Sequence, residues 1–303
     1  MNKEERIKSM LMHIAVGDVL GKICSKYTEE EIISIYGHRI TNLEFPIRKG
    51  STRRWYKGAI TDDTILTLIV ADSLIDKRRF SREDIGMRFL SCDPRGGRQI
   101  QKLKDSKNPN FIACDGTTNG AAIRTSPLAA KYDDLEDLTN YTFSLSTLTH
   151  GTLEAVGAAL LTAYIQHGAL REVKDLVEHC HSAVTRHFPS ILQTLCWKNL
   201  LEASRINCIQ ILPDYLEETI GYGKDVWSSV PTALILGVKM EDNYETILRI
   251  LHRKRKGWDL DTVASICGSI LGAKRWDEKI ASIAKEIGAI NDINFEFYAK
   301  NLK

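Results

Sequence analysis

The stretch GAITDDTILTLIV places Asp62 and Asp63 side by side between Thr61 and Thr64, directly before a run of apolar residues. Ser, Thr and Asp are typical of helix N-termini, where their side chains accept hydrogen bonds from free backbone N–H groups. The residues that follow are apolar on nearly all sides of a helix, which is typical of a buried central helix. The two carboxylates are therefore either helix caps or the acidic part of a chemical site.

A second acidic cluster stands in GWDLDTVASICGSILGA, where Asp259, Asp261 and Thr262 again precede a helix that is apolar all round. Gly268 and Gly272 in this helix allow another backbone to approach closely. A helix dipole stabilises a nearby carboxylate by about 0.3–1 kcal/mol, whereas an uncompensated buried charge costs several kcal/mol. Four such carboxylates brought together would need cations.

The donor atoms of both clusters are carboxylate and hydroxyl oxygens, with no accompanying His or Cys. Hard oxygen ligands favour Mg²⁺ or Mn²⁺ over Zn²⁺. Four carboxylates suffice for two divalent ions, and paired ions can orient a substrate and activate a water. Capping of two separate helices and a shared metal site are both compatible with the residues alone.

The elements that carry these clusters are predicted to be helices, because apolar residues recur at steps of three and four almost throughout, beginning with Ile7, Met10 and Leu11. Two irregular stretches, 36–58 and 91–127, are predicted to be long loops, which in compact domains tend to be functional or disordered. We predict an all-α fold, a compact multi-helix bundle forming one domain over 1–303. After the first helix, the predicted helices are 61–75, 81–90, 135–148, 153–165, 170–184, 189–203, 244–251, 262–271 and 278–287.

Composition excludes several classes of function. The 303 residues are 43% hydrophobic and 26% charged, and the net charge of +2 gives no electrostatic reason to expect a nucleic-acid or membrane partner. No apolar run approaches the roughly 18 residues of a membrane span. The seven cysteines include no C-x-x-C pair. We expect a cytoplasmic monomer with free thiols.

Six short motifs, in order along the chain, resemble those of the ADP-ribosylglycohydrolase family, which includes the dinitrogenase reductase-activating glycohydrolases and the ADP-ribosyl-acceptor hydrolases. The motifs are GDVLGK (17–22), TDDT (61–64), DPRGG (93–97), NGAAIRTSPLA (119–129), LTH (148–150) and DLDTVASICGSILGA (259–273). The resemblance implies a compact all-α bundle with two divalent cations, Mg²⁺ or Mn²⁺, that hold the ribose hydroxyls beside the anomeric carbon. The implied metal ligands are Thr61, Asp62, Asp63, Asp259, Asp261 and Thr262.

The same resemblance implies the residues that bind substrate. In CDGTTNGAAIR, glycines let the backbone approach a ligand, and the Thr and Asn side chains offer donors, although a plain turn before a helix explains the pattern equally well. His150 matches a family histidine near the nucleotide, and its alternative is a structural role. The implied substrate-binding residues are Gly96, Gly97, Gly116, Thr117, Thr118, Asn119, Gly120 and His150.

One departure from the family concerns catalysis. Many relatives carry a glutamate that reaches the metal centre, and alignment of the GDVLGK motif puts Ser25 in its place. Asp93 lies where arginine-directed relatives keep a catalytic aspartate, about one residue out of register. The candidate catalytic residues are Asp62, Asp63 and Asp93, and the identity of the general base stays open.

The predicted function is metal-dependent hydrolysis of the glycosidic bond between ADP-ribose and an acceptor, with ADP-ribosyl-arginine on a protein as the leading substrate. The alternatives are hydrolysis of serine-linked ADP-ribose, of O-acetyl-ADP-ribose or of another nucleoside-like substrate. A further alternative is an ADP-ribose-binding protein that lost turnover together with the glutamate.

Overall fold

The computed structural model describes residues 1–47, 55–92, 97–255 and 257–303, and Asp93 and Gly96 lie outside them. These residues form α-helices and two 3₁₀ helices (Asn119–Arg124 and Pro189–Gln193) without a β-strand, which confirms the all-α prediction. The α-helices are α1 (Lys3–Cys24), α2 (Glu29–Tyr36), α3 (Asp62–Lys77), α4 (Arg82–Ser91), α5 (Arg98–Ser106), α6 (Ser126–Lys131), α7 (Leu135–Ser146), α8 (Leu153–Leu170), α9 (Leu176–His187), α10 (Leu195–Ser204), α11 (Leu212–Thr219), α12 (Val226–Lys239), α13 (Asn243–Leu251), α14 (Leu260–Lys274), α15 (Glu278–Asn291) and α16 (Phe295–Leu302).

Helices α1 and α14 form the closest pair of the core. A Cβ at Gly17 would lie 2.5 Å from the carbonyl carbon of Ala264, and one at Gly21 would lie 2.4 Å from the Cα of Asp261. On α14, a Cβ at Gly268 would come within 2.8 Å of the α1 backbone, in agreement with the close approach predicted for this glycine. Only glycine permits such backbone contact. The backbone of the second acidic cluster is therefore in direct contact with α1.

The irregular stretch 91–127 contains more helix than predicted. Residues Arg98–Ser106 form α5, and Asn119–Arg124 form a 3₁₀ helix that leads into α6. Only Ile100 and Leu103 of α5 are buried, so the helix carries too few apolar residues for its periodicity to stand out in the sequence. Two parts of the stretch that was predicted to be a loop are therefore helical, and they lie beside the site described below.

Several helices and helix boundaries also differ from the prediction. Helices α11, α12 and α16 were not predicted, and α12 is buried along most of its length and contains Pro231. The predicted helix 153–165 continues to Leu170, and the predicted helix 170–184 begins only at Leu176, because Glu172 takes a left-handed φ of 58° and Asp175 caps the new helix. The predicted helix 189–203 is divided at Thr194 into a 3₁₀ helix and α10. Within the described ranges, no helix combines the length and apolarity that a membrane crossing demands.

Candidate active site

The N-termini of α3 and α14 open into one cavity of about 560 Å³, which is within the usual size of small-molecule sites. The two acidic clusters, far apart in the sequence, therefore meet in space. Gly97 and the loop 116–120 form the facing wall. The sequence-predicted residues that line the cavity are Asp62, Asp63, Gly97, Gly116, Thr117, Thr118, Asn119, Gly120, His150, Asp259, Asp261 and Thr262.

The start of α3 is capped by Asp18 of α1 rather than by a residue of its own segment. Asp18 Oδ2 accepts hydrogen bonds from the backbone N–H groups of Thr61 (2.8 Å) and Thr64 (3.2 Å). The hydroxyls of both threonines also donate to this carboxylate, each at 2.6 Å. Burial raises the pKa of Asp18, and the hydrogen bonds from the threonines oppose that rise. The sequence analysis missed this role, although Asp18 stands in the GDVLGK motif.

Thr61 does not face the cavity, although it was expected to be a metal ligand. Its side chain is fully buried, and its hydroxyl donates to Asp18 while lying 3.2 Å from Asp63 Oδ2. Thr61 therefore links Asp18 to Asp63 of the acidic cluster through its hydroxyl group.

Asp62 and Asp63 are carboxylates in an unfavourable environment. Burial raises the pKa of Asp62 to about 6, and repulsion from Asp261 adds to the rise. Burial also raises the pKa of Asp63 well above its usual range, with further repulsion from Asp18 and Asp62. Asp63 Oδ1 is buried, and no atom of the described residues forms a hydrogen bond with it. Because unpaired buried oxygens are costly, this atom is suited to bind a cation.

The second cluster is better compensated. Asp259 Oδ2 accepts a hydrogen bond of 2.8 Å from the Asn119 side-chain amide, although burial and repulsion from Asp261 still raise its pKa to about 6. For Asp261, the effect of burial is outweighed by the ion pair with Lys22 and a hydrogen bond from Ser25, so that its pKa is lowered. The negative charge of Asp261 is therefore balanced by the ammonium of Lys22.

Position 25 reaches the acidic cluster. The Ser25 hydroxyl lies 2.9 Å from Asp261 Oδ1 and 2.7 Å from the carbonyl oxygen of Gly21. Lys22, one turn earlier on α1, places its Nζ 2.6 Å from Asp261 Oδ2. Lys22 was not singled out from the sequence, although it ends the GDVLGK motif.

The chemistry of the donor set fits a hard divalent cation, because every candidate ligand presents oxygen and Asp63 Oδ1 has no partner. Across the ranges that the structure covers, however, no three His, Cys, Asp or Glu side chains are already grouped as a metal-binding cluster. Binding would require these side chains to move closer together. The cavity residues with oxygen atoms that could hold a cation are Asp62, Asp63, Asp259, Asp261 and Thr262.

The glycine-rich loop closes around His150. Gly116 has a φ of 100°, and a Cβ there would lie 3.0 Å from His150 Cδ2. A Cβ at Gly120 would lie 3.0 Å from His150 Cε1. The ring nitrogens contact the hydroxyls of Thr118 (2.9 Å) and Thr149 (2.7 Å). Burial lowers the pKa of His150 to about 3, so the ring is neutral. It packs against Gly116 and Gly120 and thereby supports the conformation of the loop.

Arg124 is a cavity residue that the sequence analysis did not single out. Its side chain is fully buried and donates to Thr149 Oγ1 at 2.6 Å, with the guanidinium 5.0 Å from the centre of the Phe89 ring. Its Nε and Nη1 have no hydrogen-bond partner in the part of the chain that the structure describes. Burial lowers its pKa to about 9, and the charge of Asp62 opposes that shift. Its cation compensates part of the acidic cluster.

Comparison with known proteins places the chain in a family. The model of the family described as ADP-ribosylglycohydrolase matches residues 1–279. The chain belongs to this family, as its motifs predicted.

The similar proteins are distant relatives. An uncharacterized protein of Archaeoglobus fulgidus is 26% identical over 89% of this chain and 88% of its own length. The mouse ADP-ribosylhydrolase ARH3 is 25% identical over 88% of this chain and 83% of its own. A solved structure described as an ADP-ribosylglycohydrolase-related protein complex shares the fold, with a TM-score of 0.69 and 22% identity over 99% of this chain and 98% of that one.

Proposed function

We propose that this protein is a metal-dependent hydrolase that cleaves the glycosidic bond between ADP-ribose and an acceptor group. The observation that carries the proposal is the shared cavity, in which the carboxylates at the starts of α3 and α14 face the loop 116–120. Family membership supports the hydrolase class. Divalent cations, when bound, would supply Lewis-acid chemistry that orients hydroxyls and lowers the pKa of water.

The residues of the chain have separable tasks. The loop 116–120, held in shape by His150, binds the nucleotide through backbone groups that its glycines leave accessible. Asp62 lines the cavity, where its carboxylate can accept a proton from a water. The water oxygen bonds to the anomeric carbon while the bond from that carbon to the acceptor breaks, and the water proton taken up by Asp62 passes to the acceptor atom that leaves.

We propose ADP-ribosyl-arginine as the first substrate. Asp62, Asp63, Asp259 and Asp261 line one part of the cavity, and Asp115 lies at the same cavity. The same cavity also presents cationic side chains, those of Lys22, Arg98, Arg124 and Lys224. An ion pair between the guanidinium and an individual aspartate, which a neutral serine or acetyl acceptor cannot form, would therefore favour the arginine substrate.

An incubation assay tests both parts of the proposal. The protein is mixed separately with ADP-ribosyl-arginine, ADP-ribosyl-serine and O-acetyl-ADP-ribose, with Mg²⁺ or Mn²⁺ and with EDTA, and released ADP-ribose is measured. Release that EDTA abolishes is expected, and it should be fastest from the arginine substrate. Asp62→Asn should remove activity, whereas Asp76→Asn, a change at an exposed position of the same helix, should keep it. Release that persists fully in EDTA would refute the metal requirement.

A second candidate function is ADP-ribose binding without turnover. Ser25 stands where many relatives carry a glutamate, and both oxygens of the neighbouring Asp261 are already engaged by Ser25 and Lys22. Tight binding of ADP-ribose in calorimetry, with no release from any of the three substrates, would favour this candidate.

A further inference from the structure

Lys22 is built into the acidic cluster. Its Nζ lies 2.6 Å from Asp261 Oδ2, and the Lys22 side chain is 20% exposed while that of Asp261 is 4% exposed. The Ser25 hydroxyl lies on the other carboxylate oxygen at 2.9 Å. Both oxygens of a carboxylate expected to bind metal are thus engaged, one by Lys22 of α1 and the other by Ser25, which directly follows α1.

The position of Lys22 is fixed by the backbone as well as by the ion pair. A Cβ at the adjacent Gly21 would lie 2.4 Å from the Cα of Asp261, so the two helices touch at this point. The ammonium also lies 5.8 Å from the centre of the Trp55 ring, within the range of a cation–π contact. Because α1 and α14 cannot slide apart here without losing core packing, Lys22 stays within reach of Asp261.

On the other side of the cluster, no Lys or Arg of the described ranges forms an ion pair with Asp62 or Asp63, and the buried Arg124 guanidinium interacts with Asp62 only at longer range, through its charge. Among the same residues, none is a hydrogen-bond partner of the buried Asp63 Oδ1, and Asp62 lines the same cavity. The α14 side therefore carries a cation supplied by the chain, whereas the α3 side presents a carboxylate oxygen that still requires one.

We propose that the Lys22 ammonium takes the place of one of two divalent cations, so that the cluster binds a single divalent ion on the Asp62–Asp63 side. The inference rests on the proposed function only in requiring that the site bind metal. An ammonium brings one positive charge and cannot coordinate a ribose hydroxyl or lower the pKa of a water as a divalent ion does. A site that holds Lys22 and one divalent ion therefore has one metal ion fewer to coordinate a ribose hydroxyl or a water than a site with two.

Metal stoichiometry tests the proposal. The metal-free protein is dialysed to equilibrium against Mn²⁺, bound metal per chain is measured by elemental analysis, and spin coupling between ions is examined by electron paramagnetic resonance. The wild type should bind about one Mn²⁺ without spin coupling. Lys22→Met removes the charge but keeps the length of the side chain, and it should bind a second ion with coupled spins.

Two further variants make the result specific. Lys22→Arg keeps the charge and should stay at one ion. Lys26→Met removes an exposed lysine that lies four residues after Lys22 and does not line the cavity, and it should also stay at one ion. Thermal unfolding of each variant establishes that it is folded, and Lys22→Gln replaces any Lys22→Met protein that is not.

The outcomes separate the inference from the proposed function. Two ions in the wild type, or one ion in both neutral Lys22 variants, would overturn the inference and leave the proposed hydrolase intact. Failure of the wild type to bind Mn²⁺, together with release of ADP-ribose that EDTA does not affect, would overturn the metal requirement itself.

Discussion

Asp18 and Thr61 join helices α1 and α3 by two hydrogen bonds, from the Thr61 backbone N–H to Asp18 Oδ2 (2.8 Å) and from its hydroxyl to Oδ1 (2.6 Å). This contact sets the position of Asp62 and Asp63, which immediately follow. It therefore links the stability of the core to the geometry of the site.

Asp18→Ala should destabilise the protein by about 2–4 kcal/mol, because buried N–H and hydroxyl donors at Thr61 and Thr64 lose their acceptor. Urea unfolding measures the change. Asp76→Ala is the matched control: its carboxylate pairs with Arg88 at the surface, is 59% exposed, and should contribute less than about 1 kcal/mol. Equal losses for the two variants would contradict the capping role of Asp18.

Asp62→Asn should stabilise the metal-free protein. The pKa of Asp62 is raised by burial and by Asp261, so its charge at neutral pH opposes folding, and the neutral amide removes that cost. We expect a gain of roughly 1–2 kcal/mol, or a few degrees in melting temperature. Asp76→Asn is the control and should change neither the free energy of unfolding nor the melting temperature to this extent.

Added Mn²⁺ should raise the melting temperature of the wild type more than that of Asp62→Asn, since a ligand stabilises the state that binds it. A destabilised Asp62→Asn protein without metal would show that the charge is compensated by other groups.

Gly116→Ala should weaken ADP-ribose binding by about tenfold or more. The new methyl group would press on His150, 3.0 Å away, and displace the loop that faces the cavity. Gly37→Ala is the matched control, because Gly37 also has a positive φ, of 80°, but nothing lies within 4 Å of its would-be Cβ. Both changes should cost about 1 kcal/mol of stability through backbone strain. Calorimetric titration with ADP-ribose separates them, and unchanged affinity in Gly116→Ala would contradict the assigned role of the loop.

The free energy of unfolding should include a histidine contribution that is lost as the pH falls from about 6.5 towards 4. His13 is buried, its Nδ1–H donates to the Ser9 carbonyl at 2.7 Å, and its Nε2 accepts from Asn243 at 2.9 Å. Desolvation lowers its pKa to about 4. Between these pH values the unfolded chain binds a proton that the folded protein does not, so protonation favours unfolding.

The measurement is urea unfolding at several pH values for the wild type and for His13→Gln. The slope of stability against pH should be smaller in the variant, by up to about 1.4 kcal/mol per pH unit. His181→Gln is the control for the same substitution at a histidine whose side chain is 47% exposed. Parallel curves for His13→Gln and the wild type would rule out the contribution of His13.

The sequence predicted the fold class and the acidic clusters because these features are local. Asp62 and Asp63 stand next to each other before an apolar helix, and Asp259 and Asp261 repeat the pattern. Their meeting could be inferred only from the resemblance to a family, because nothing in the spacing of residues specifies which helix ends converge.

The contacts that the sequence could not predict join distant positions. Asp18 caps α3 through Thr61, which lies 43 residues later in the sequence and directly precedes the helix. Lys22 forms an ion pair with Asp261, from which it is separated by 239 positions in the sequence. Neither pair has a periodic or local signature. Helix α5 was missed for a different reason: it buries only two apolar side chains, so tertiary packing rather than propensity determines its position.

The pairing of α1 with α14 has a consequence for synthesis of the protein on the ribosome. Helix α1 is synthesised well before α14, yet the glycine contacts between them hold Lys22 against Asp261. A nascent chain therefore carries Asp62 and Asp63 through the synthesis of the intervening helices without Asp259 and Asp261. The complete acidic cluster can form only after α14 has been made.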